Sequence, residues 1–167
     1  MILHHNSWFD VALENDYYSI RPAKKDVIVL PVVEKNKVVI VGVKRPILGK
    51  ISNELPAGYV EDSEGPLEAA ARELCEETGI IINDLSRFIE KPPIYVLPSR
   101  IPCATSIYTV FITYDEFINR KQHDAEIEHV TLLSYEQYLN MLKRGEVNVA
   151  IVIGLISNFF LEKFIVE

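Results

Sequence analysis

Apolar residues along this chain fall first into short continuous runs and then into helical stripes. Residues 27–33 are apolar and β-branched, residues 37–43 repeat that character, and residues 34–36 between them form a short polar turn; the pair predicts a β-hairpin. Residues 44–63, punctuated by Pro46, Gly49, Pro56 and Gly58, are expected to be loop. A helix is predicted near residues 65–78, with Ser63 as its cap, Pro66 in its first turn and Gly79 at its end. Residues 88–97 and 106–114 have strand character, the former limited by Pro92 and Pro93 to an edge, a bulge or a break. A short strand at 127–133 precedes a helix over 135–143, capped by Ser134 and ended by Gly145, and a last helix is expected over 148–164. Strands that occur both as hairpins and around helices predict an α/β (α+β) fold, with a mixed sheet flanked by helices.

The helix at 65–78 has two unlike faces. Leu67, Ala71, Leu74, Cys75 and Thr78 are expected on the packed side, and Glu73, Glu76 and Glu77 on the other, flanked by the small Ala69 and Ala70. Two readings fit: a solvated face of good helix formers, or a cation site. Like charges three and four apart repel by a few tenths of a kcal/mol per pair, and the helix dipole disfavours Glu76 and Glu77 in the last turn. A divalent cation removes both penalties, and oxygen-only ligands suit Mg²⁺ or Mn²⁺.

Composition narrows the field. In 167 residues, 17 Lys+Arg stand against 24 Asp+Glu, a formal net charge of −7. That length suits one domain with a full core. The acidic balance argues against nucleic-acid and anionic-membrane partners, which need a basic face. Cys75 and Cys103 cannot build a disulfide framework, and residues 1–10 lack the layout of a signal peptide. A reducing, cytoplasmic location is therefore expected. The most apolar stretch, 149–161, is interrupted by Gly154, Ser157 and Asn158 and falls short of the roughly 20 residues of a membrane span.

Gly58, Glu64 and the run Arg72-Glu73-Leu74-Cys75-Glu76-Glu77-Thr78-Gly79-Ile80 fit the pattern G-x5-E-x7-R-E-U-x-E-E-x-G-U, where U is aliphatic, at all nine fixed positions. On this segment the chain resembles the Nudix hydrolases. The resemblance implies an α/β/α sandwich, one domain over residues 1–167 (an N-terminal extension at 1–26, the box at 58–80), and Mg²⁺-dependent hydrolysis of a nucleoside diphosphate linked to another moiety. Carried over by position, Glu73 and Glu77 would be the main metal ligands, with Glu76 sharing ligation or acting as a base. Arg72 would orient the carboxylates, and Glu64 would support the site structurally.

Upstream, Arg45-Pro46-Ile47-Leu48-Gly49 and Glu54-Leu55-Pro56-Ala57-Gly58 are similar to the R-P-P-x-G and E-L-P-A-G runs of the ADP-ribose and nucleotide-sugar pyrophosphatases. That match implies the Ala57 carbonyl as a metal ligand, Arg45 on the substrate diphosphate, and Glu54 binding substrate or holding the loop. The catalytic base is expected from a later acidic segment, where Glu126 comes first, with Glu128 and Asp124 behind it; Glu126 and Glu128 would share one side of an extended strand. The chain departs from the subfamily in lacking a Ser-Pro-Gly-aromatic motif near Pro98 and Pro102, and in carrying Val43-Lys44-Arg45 where Gln-aromatic-Arg is usual. Trp8, Phe9, Tyr17 and Tyr18 are expected to pack in a core or interface, or else to stack on a base, often across a dimer. His4 and His5 have no ligand spacing and are expected at the surface; His123 and His129, near the acidic segment, could serve the site, but isolated histidines usually do not. The reading is thus an ADP-ribose or ADP-sugar pyrophosphatase and a homodimer, the alternatives being a hydrolase of GDP-mannose or dinucleoside polyphosphates, or a non-catalytic nucleotide-binding module.

Overall fold

The computed structural model describes the backbone of residues 1–165 and the side chains as far as residue 162. The predicted hairpin is β4 (Asp26–Val33) and β5 (Lys37–Arg45), but the two strands pair only next to their turn, at Val32–Val38 and Val33–Lys37. Beyond that point they diverge. The fork is filled by β6 (Lys50–Glu54), which pairs with β5, and β7 (Ala57–Tyr59), which pairs with β4. Residues 44–63 are therefore not the loop their Pro and Gly residues suggest. Short segments become strands here because two diverging edges offer them hydrogen bonds, a tertiary effect that local propensity does not carry.

The main sheet runs β10 (Ile127–Leu133), β5, β4, β9 (Ala104–Ile112), β8 (Phe88–Tyr95), with β4 parallel to β9 and the other neighbours antiparallel. Central β4 sends Val27, Val29 and Val33 to one face, against Ala69, Ala70 and Leu74 of α1 (Pro66–Thr78). It sends Ile28, Leu30 and Val32 to the other, against α3 (Tyr135–Lys143) and α4 (Ala150–Ile165). Burial on both faces explains its unbroken apolar run, and helices on both faces of a mixed sheet form the expected α/β/α sandwich. β8 is an edge strand whose register shifts between Lys91 and Ile94, at Pro92-Pro93. No helix among the described residues is long and apolar enough to cross a membrane.

Three features differ from expectation. Residues 1–22 build a separate antiparallel sheet of β1 (Ile2–His5), β2 (Phe9–Glu14) and β3 (Tyr17–Pro22). The β2–β3 turn is Asn15-Asp16 at φ 48° and 64°, residues that tolerate this left-handed conformation in tight hairpins. The N-cap of α1 is Gly65, with no side-chain cap, rather than Ser63. The helix is also rolled relative to its apolar stripe: Ala69 and Ala70 are fully buried in the core, while Cys75 is only half-buried. The roll turns Glu73 and Glu77 inward.

A short helix, α2 (Tyr114–Ile118), follows β9, started by a capping box of Thr113 and Glu116. Arg87 donates two hydrogen bonds to Glu116, at 2.6 and 2.9 Å. This pairing holds the Glu116 carboxyl down at about 2, against the opposing effect of burial and with further help from Thr113. Because the folded-state pKa is depressed, the stabilisation is present above the ordinary value near 4.5 and is lost as pH falls through about 2. Glu116→Ala is expected to cost about 1–2 kcal/mol at pH 7. In urea unfolding, the gap to the parent protein should narrow between about pH 4.5 and pH 2.

Gly79 ends α1 at φ 75°, its N–H donating to the Cys75 carbonyl at 2.8 Å. A Cβ there would lie 2.0 Å from the Lys121 carbonyl oxygen, in a segment tied to Gly79 by a backbone hydrogen bond of 2.8 Å. Gly79→Ala combines left-handed strain with a backbone clash. It is expected to lower stability by at least about 2 kcal/mol in the same unfolding measurement.

Candidate active site

The fork between β4 and β5 positions the box. Leu55 is buried in the α3/α4 core, and the Pro56 carbonyl accepts from Val29 N–H at 2.8 Å, so the chain enters β7 on a fixed path. Two consequences follow for α1. The Ala57 N–H donates to Glu77 Oε2 at 3.0 Å. Gly58 passes directly under Glu73, where a Cβ would lie 2.0 Å from Oε1. Glycine at this position is set by the carboxylate above it, not by backbone conformation.

Arg72 organises the acidic face with all five of its N–H donors. Nε and Nη2 reach the Glu64 carboxylate, Nη2 also the Tyr59 carbonyl at 2.7 Å, and Nη1 donates to Glu73 Oε1 at 2.7 Å and to Glu76 Oε2 at 2.8 Å. Glu64 also accepts from Glu61 N–H at 3.0 Å, closing the loop before the helix. These contacts raise the guanidinium pKa further, Glu64 contributing most, and hold Glu64 below the usual carboxylate range.

The inner carboxylates are less well satisfied. Glu73 is 8% exposed and Glu77 5%. Burial pushes Glu73 up, against the pull of Arg72. Burial pushes Glu77 up to about 8, offset by the Ala57 N–H and reinforced by the charges of Glu73 and Glu126. Of the two buried carboxylates only Glu73 touches the Arg72 guanidinium, and Glu77 accepts from the Ala57 N–H.

Across the fork, Arg45 at the end of β5 donates from Nε to Glu54 Oε1 at 3.0 Å and from Nη2 to Glu54 Oε2 at 2.8 Å. Burial raises the Glu54 carboxyl, but the fork-on-fork pairing with Arg45 prevails and its pKa ends below the usual range. Three N–H groups of Arg45 remain unused by this pair. The Arg45 guanidinium also feels the charges of Glu77 and Glu126, which places all three in one electrostatic neighbourhood.

The structure separates the three acidic residues before β10. Glu126 acts on Glu77 and Arg45, while Glu128 pairs with Lys44 Nζ at 2.9 Å on the exposed side. They do not share one side of a strand: Glu126 lies before the first residue of β10, and the register shifts between Ile127 and His129. Asp124 is joined to α1 through its backbone, donating to the Glu76 carbonyl at 2.8 Å.

Among the described residues no three His, Cys, Asp or Glu groups already converge as metal ligands. Arg72 spreads Glu73 and Glu76 around itself. The donor set nevertheless fits a hard divalent cation: buried, oxygen-only carboxylates whose neutralisation is incomplete.

His129 packs over Gly42, where a Cβ would lie 2.2 Å from its ring. Its Nε2 lies 3.1 Å from Asn53 Oδ1, and Asn53 Nδ2 donates to the Glu146 carbonyl at 2.8 Å. This link ties β6, which carries Glu54, to β10 and to the loop after α3; two residues with no motif gave no sequence signal for it. Trp8 is 68% exposed, and Tyr17 and Tyr18 are exposed as well, so packing in this chain's own core is not their role. With Tyr59, Lys24 and Glu61, Trp8 lines a cleft of about 260 Å³.

A carboxylate-rich helix, held by one arginine against a glycine-bearing strand in the fork of a mixed sheet, is the box of one hydrolase class. Residues 22–152 match the NUDIX domain, and the chain belongs to the Nudix family. It is similar to ADP-sugar pyrophosphatase from Mus musculus, with 34% identity over 124 residues, covering 68% of this chain and 55% of the mouse protein. It is also similar to phosphatase NudJ from Escherichia coli K12, with 32% identity over 97 residues, 58% of this chain and 61% of that protein. The aligned segments therefore span less than two thirds of these relatives.

Proposed function

We propose that this protein is a pyrophosphohydrolase that cleaves the diphosphate of ADP-ribose or a related nucleoside diphosphate sugar, yielding a nucleoside monophosphate and a sugar phosphate. The observation that carries the reading is that two buried, incompletely neutralised carboxylates, Glu73 and Glu77, stand at the same fork as Arg45, whose guanidinium feels the charge of Glu77. The likeness to ADP-sugar pyrophosphatase supports the sugar-linked substrate.

Mg²⁺, or Mn²⁺ in its place, would be held by Glu73, Glu76, Glu77 and the Ala57 carbonyl. Bound there, it would neutralise the diphosphate and acidify water. The remaining roles belong to the chain. Arg45, locked in orientation by Glu54, offers its three unused N–H groups to the diphosphate. Glu126 takes the proton of the attacking water as its oxygen bonds to one phosphorus, and the bond from that phosphorus to the bridging oxygen breaks. Arg72 positions Glu73 and Glu76. The exposed Trp8 with Tyr59 offers a stacking surface for the base.

The enzyme is cytoplasmic and homodimeric in this reading. Exposed apolar side chains of the N-terminal sheet (Ile2, Leu3, Tyr17, Tyr18 and Ile20) support the self-association. A second reading, hydrolysis of a different nucleoside diphosphate derivative, draws on the likeness to NudJ. A panel of nucleotide sugars and dinucleoside polyphosphates with Mg²⁺, read by phosphatase-coupled phosphate release, decides between them. ADP-ribose or another ADP-sugar is expected to give the highest kcat/KM. A preference for GDP-mannose or dinucleoside polyphosphates would overturn the first reading in favour of the second, and binding without turnover would overturn both.

A further inference from the structure

A groove of about 880 Å³ lies on the face of the sheet opposite α1, away from the box. It exists because α3 and α4 cover β10, β5 and β4 but reach β9 only as far as Ile107, leaving the β9–β8 half of this face without a helix among the described residues. Leu30, Ile107 and Thr109 form its floor, Leu155 and Phe159 of α4 one wall, and the Pro92-Pro93 bulge with Ile94 the other. Its volume falls in the range of small-molecule sites, about 300–1,000 Å³.

Two polar features mark it as more than a packing gap. Thr109 is only 3% exposed, and its hydroxyl, in an otherwise apolar floor, has no hydrogen-bond partner among the described residues. Leaving such a group unmade costs about 1–3 kcal/mol, and valine would fill the same space without that cost. Lys35 and Lys91 also line the groove, and neither has an ion-pair partner among the described residues. Lys91 stands on β8 opposite Ile107, one step along the same face from Thr109. Lys35 stands beyond the other end of this row, in the β4–β5 turn. There Glu34 and Lys35 both take left-handed φ, 50° and 58°, without the glycine or asparagine that such turns favour. Glu162, the one carboxylate on the lining among the described residues, accepts a hydrogen bond from Asn158 at 2.8 Å.

We propose that this groove binds a free anionic amphiphile, a molecule with an aliphatic or aromatic body and a carboxylate head. The body lies along Leu30, Ile107, Leu155 and Phe159. The head sits at Thr109, between Lys35 and Lys91, and accepts a hydrogen bond from the threonine hydroxyl, which a turn about the Cα–Cβ bond brings to the groove. The site is separate from the box and does not depend on the substrate assigned there.

The test is fluorescence titration of the full chain with cis-parinaric acid, followed by its displacement with dodecanoate or with dodecanol. One equivalent of parinarate is expected to bind per chain, and dodecanoate should displace it at lower concentration than dodecanol. Thr109→Val, which keeps the shape, should weaken dodecanoate about tenfold or more, the scale of a hydrogen bond to a charged group. A Lys35→Ala/Lys91→Ala variant should bring dodecanoate down to the level of dodecanol. Leu155→Trp should block both; should that variant fail to fold by circular dichroism, the threonine and lysine variants carry the test. The proposal is overturned by the absence of binding to the folded chain, by equal affinity for acid and alcohol, or by indifference to Thr109→Val. Binding to anionic phosphatidylserine vesicles without binding to monomeric dodecanoate, or self-association that removes the probe site, would equally overturn it.

Discussion

Glu77→Gln is expected to reduce Mg²⁺-dependent turnover of ADP-ribose by roughly 10²–10³-fold or more, the scale of losing one group that stabilises charge in the transition state. The fold should survive. Glu77 is buried, and burial is the main cause that lifts its carboxyl to about 8, so the charge at this position opposes folding while no cation neutralises it. Glutamine is nearly isosteric, keeps an acceptor for the Ala57 N–H, and carries no charge. The melting temperature of the metal-free variant is therefore expected to equal or exceed that of the parent, while stabilisation by added Mg²⁺ is lost. Wild-type turnover in the glutamine variant would remove the basis for assigning hydrolysis to this face of α1.

Arg72→Ala should be damaging in a different way. Its five donors serve Glu64, Glu73, Glu76 and the Tyr59 carbonyl at once, and their removal leaves three carboxylates facing one another across the loop and helix. A stability loss of about 3 kcal/mol is expected, since breaking one partner of a partly buried network exposes the rest to unscreened repulsion. Turnover should fall by at least about 10²-fold, because Glu73 and Glu76 lose the group that fixes them. Arg72→Lys separates the two effects. Lysine restores a positive charge but not the planar fork, so much of the stability should return while most of the activity does not. Urea unfolding and Mg²⁺-dependent kinetics on the same preparations check both. If lysine restored full activity, Arg72 would be acting as a charge and not as a template.

The two faces of α1 show how far the chain could be read directly. The spacing of Arg72, Glu73, Glu76 and Glu77 is local, and a helix converts such spacing into a shared face by geometry alone. The arginine and the acidic face it gathers were therefore legible. The roll of the helix was not: Ala69 and Ala70 read as flanks of the acidic face, yet they are the core contact. Alanine carries too little hydrophobic signal to mark a buried face when leucine competes for it. Residues 44–63 failed for a related reason. Their turn residues are real, but β6 and β7 exist because β4 and β5 part after two residue pairs. The N-terminal sheet was missed although Asn15-Asp16 marks its turn, because its strands are short and their outward side chains include tyrosine and isoleucine, which blur the alternation.

By itself, then, the sequence determined a mixed sheet between helices, membership of the Nudix family, and the acidic helix with its arginine. Each rests on local spacing or on a run of side chains that physics confines to one element. Only the tertiary structure decided that Glu73 and Glu77 are buried, that Glu73 rests on Gly58, and that the charge of Glu126 reaches Glu77 while Glu128 pairs with Lys44. It alone decided that a groove lined by Thr109 opens on one face of the sheet. These depend on which segments meet across the sheet. Charge, burial and hydrogen bonding act through space, and the distance between two residues in space is not written in the distance between them along the chain.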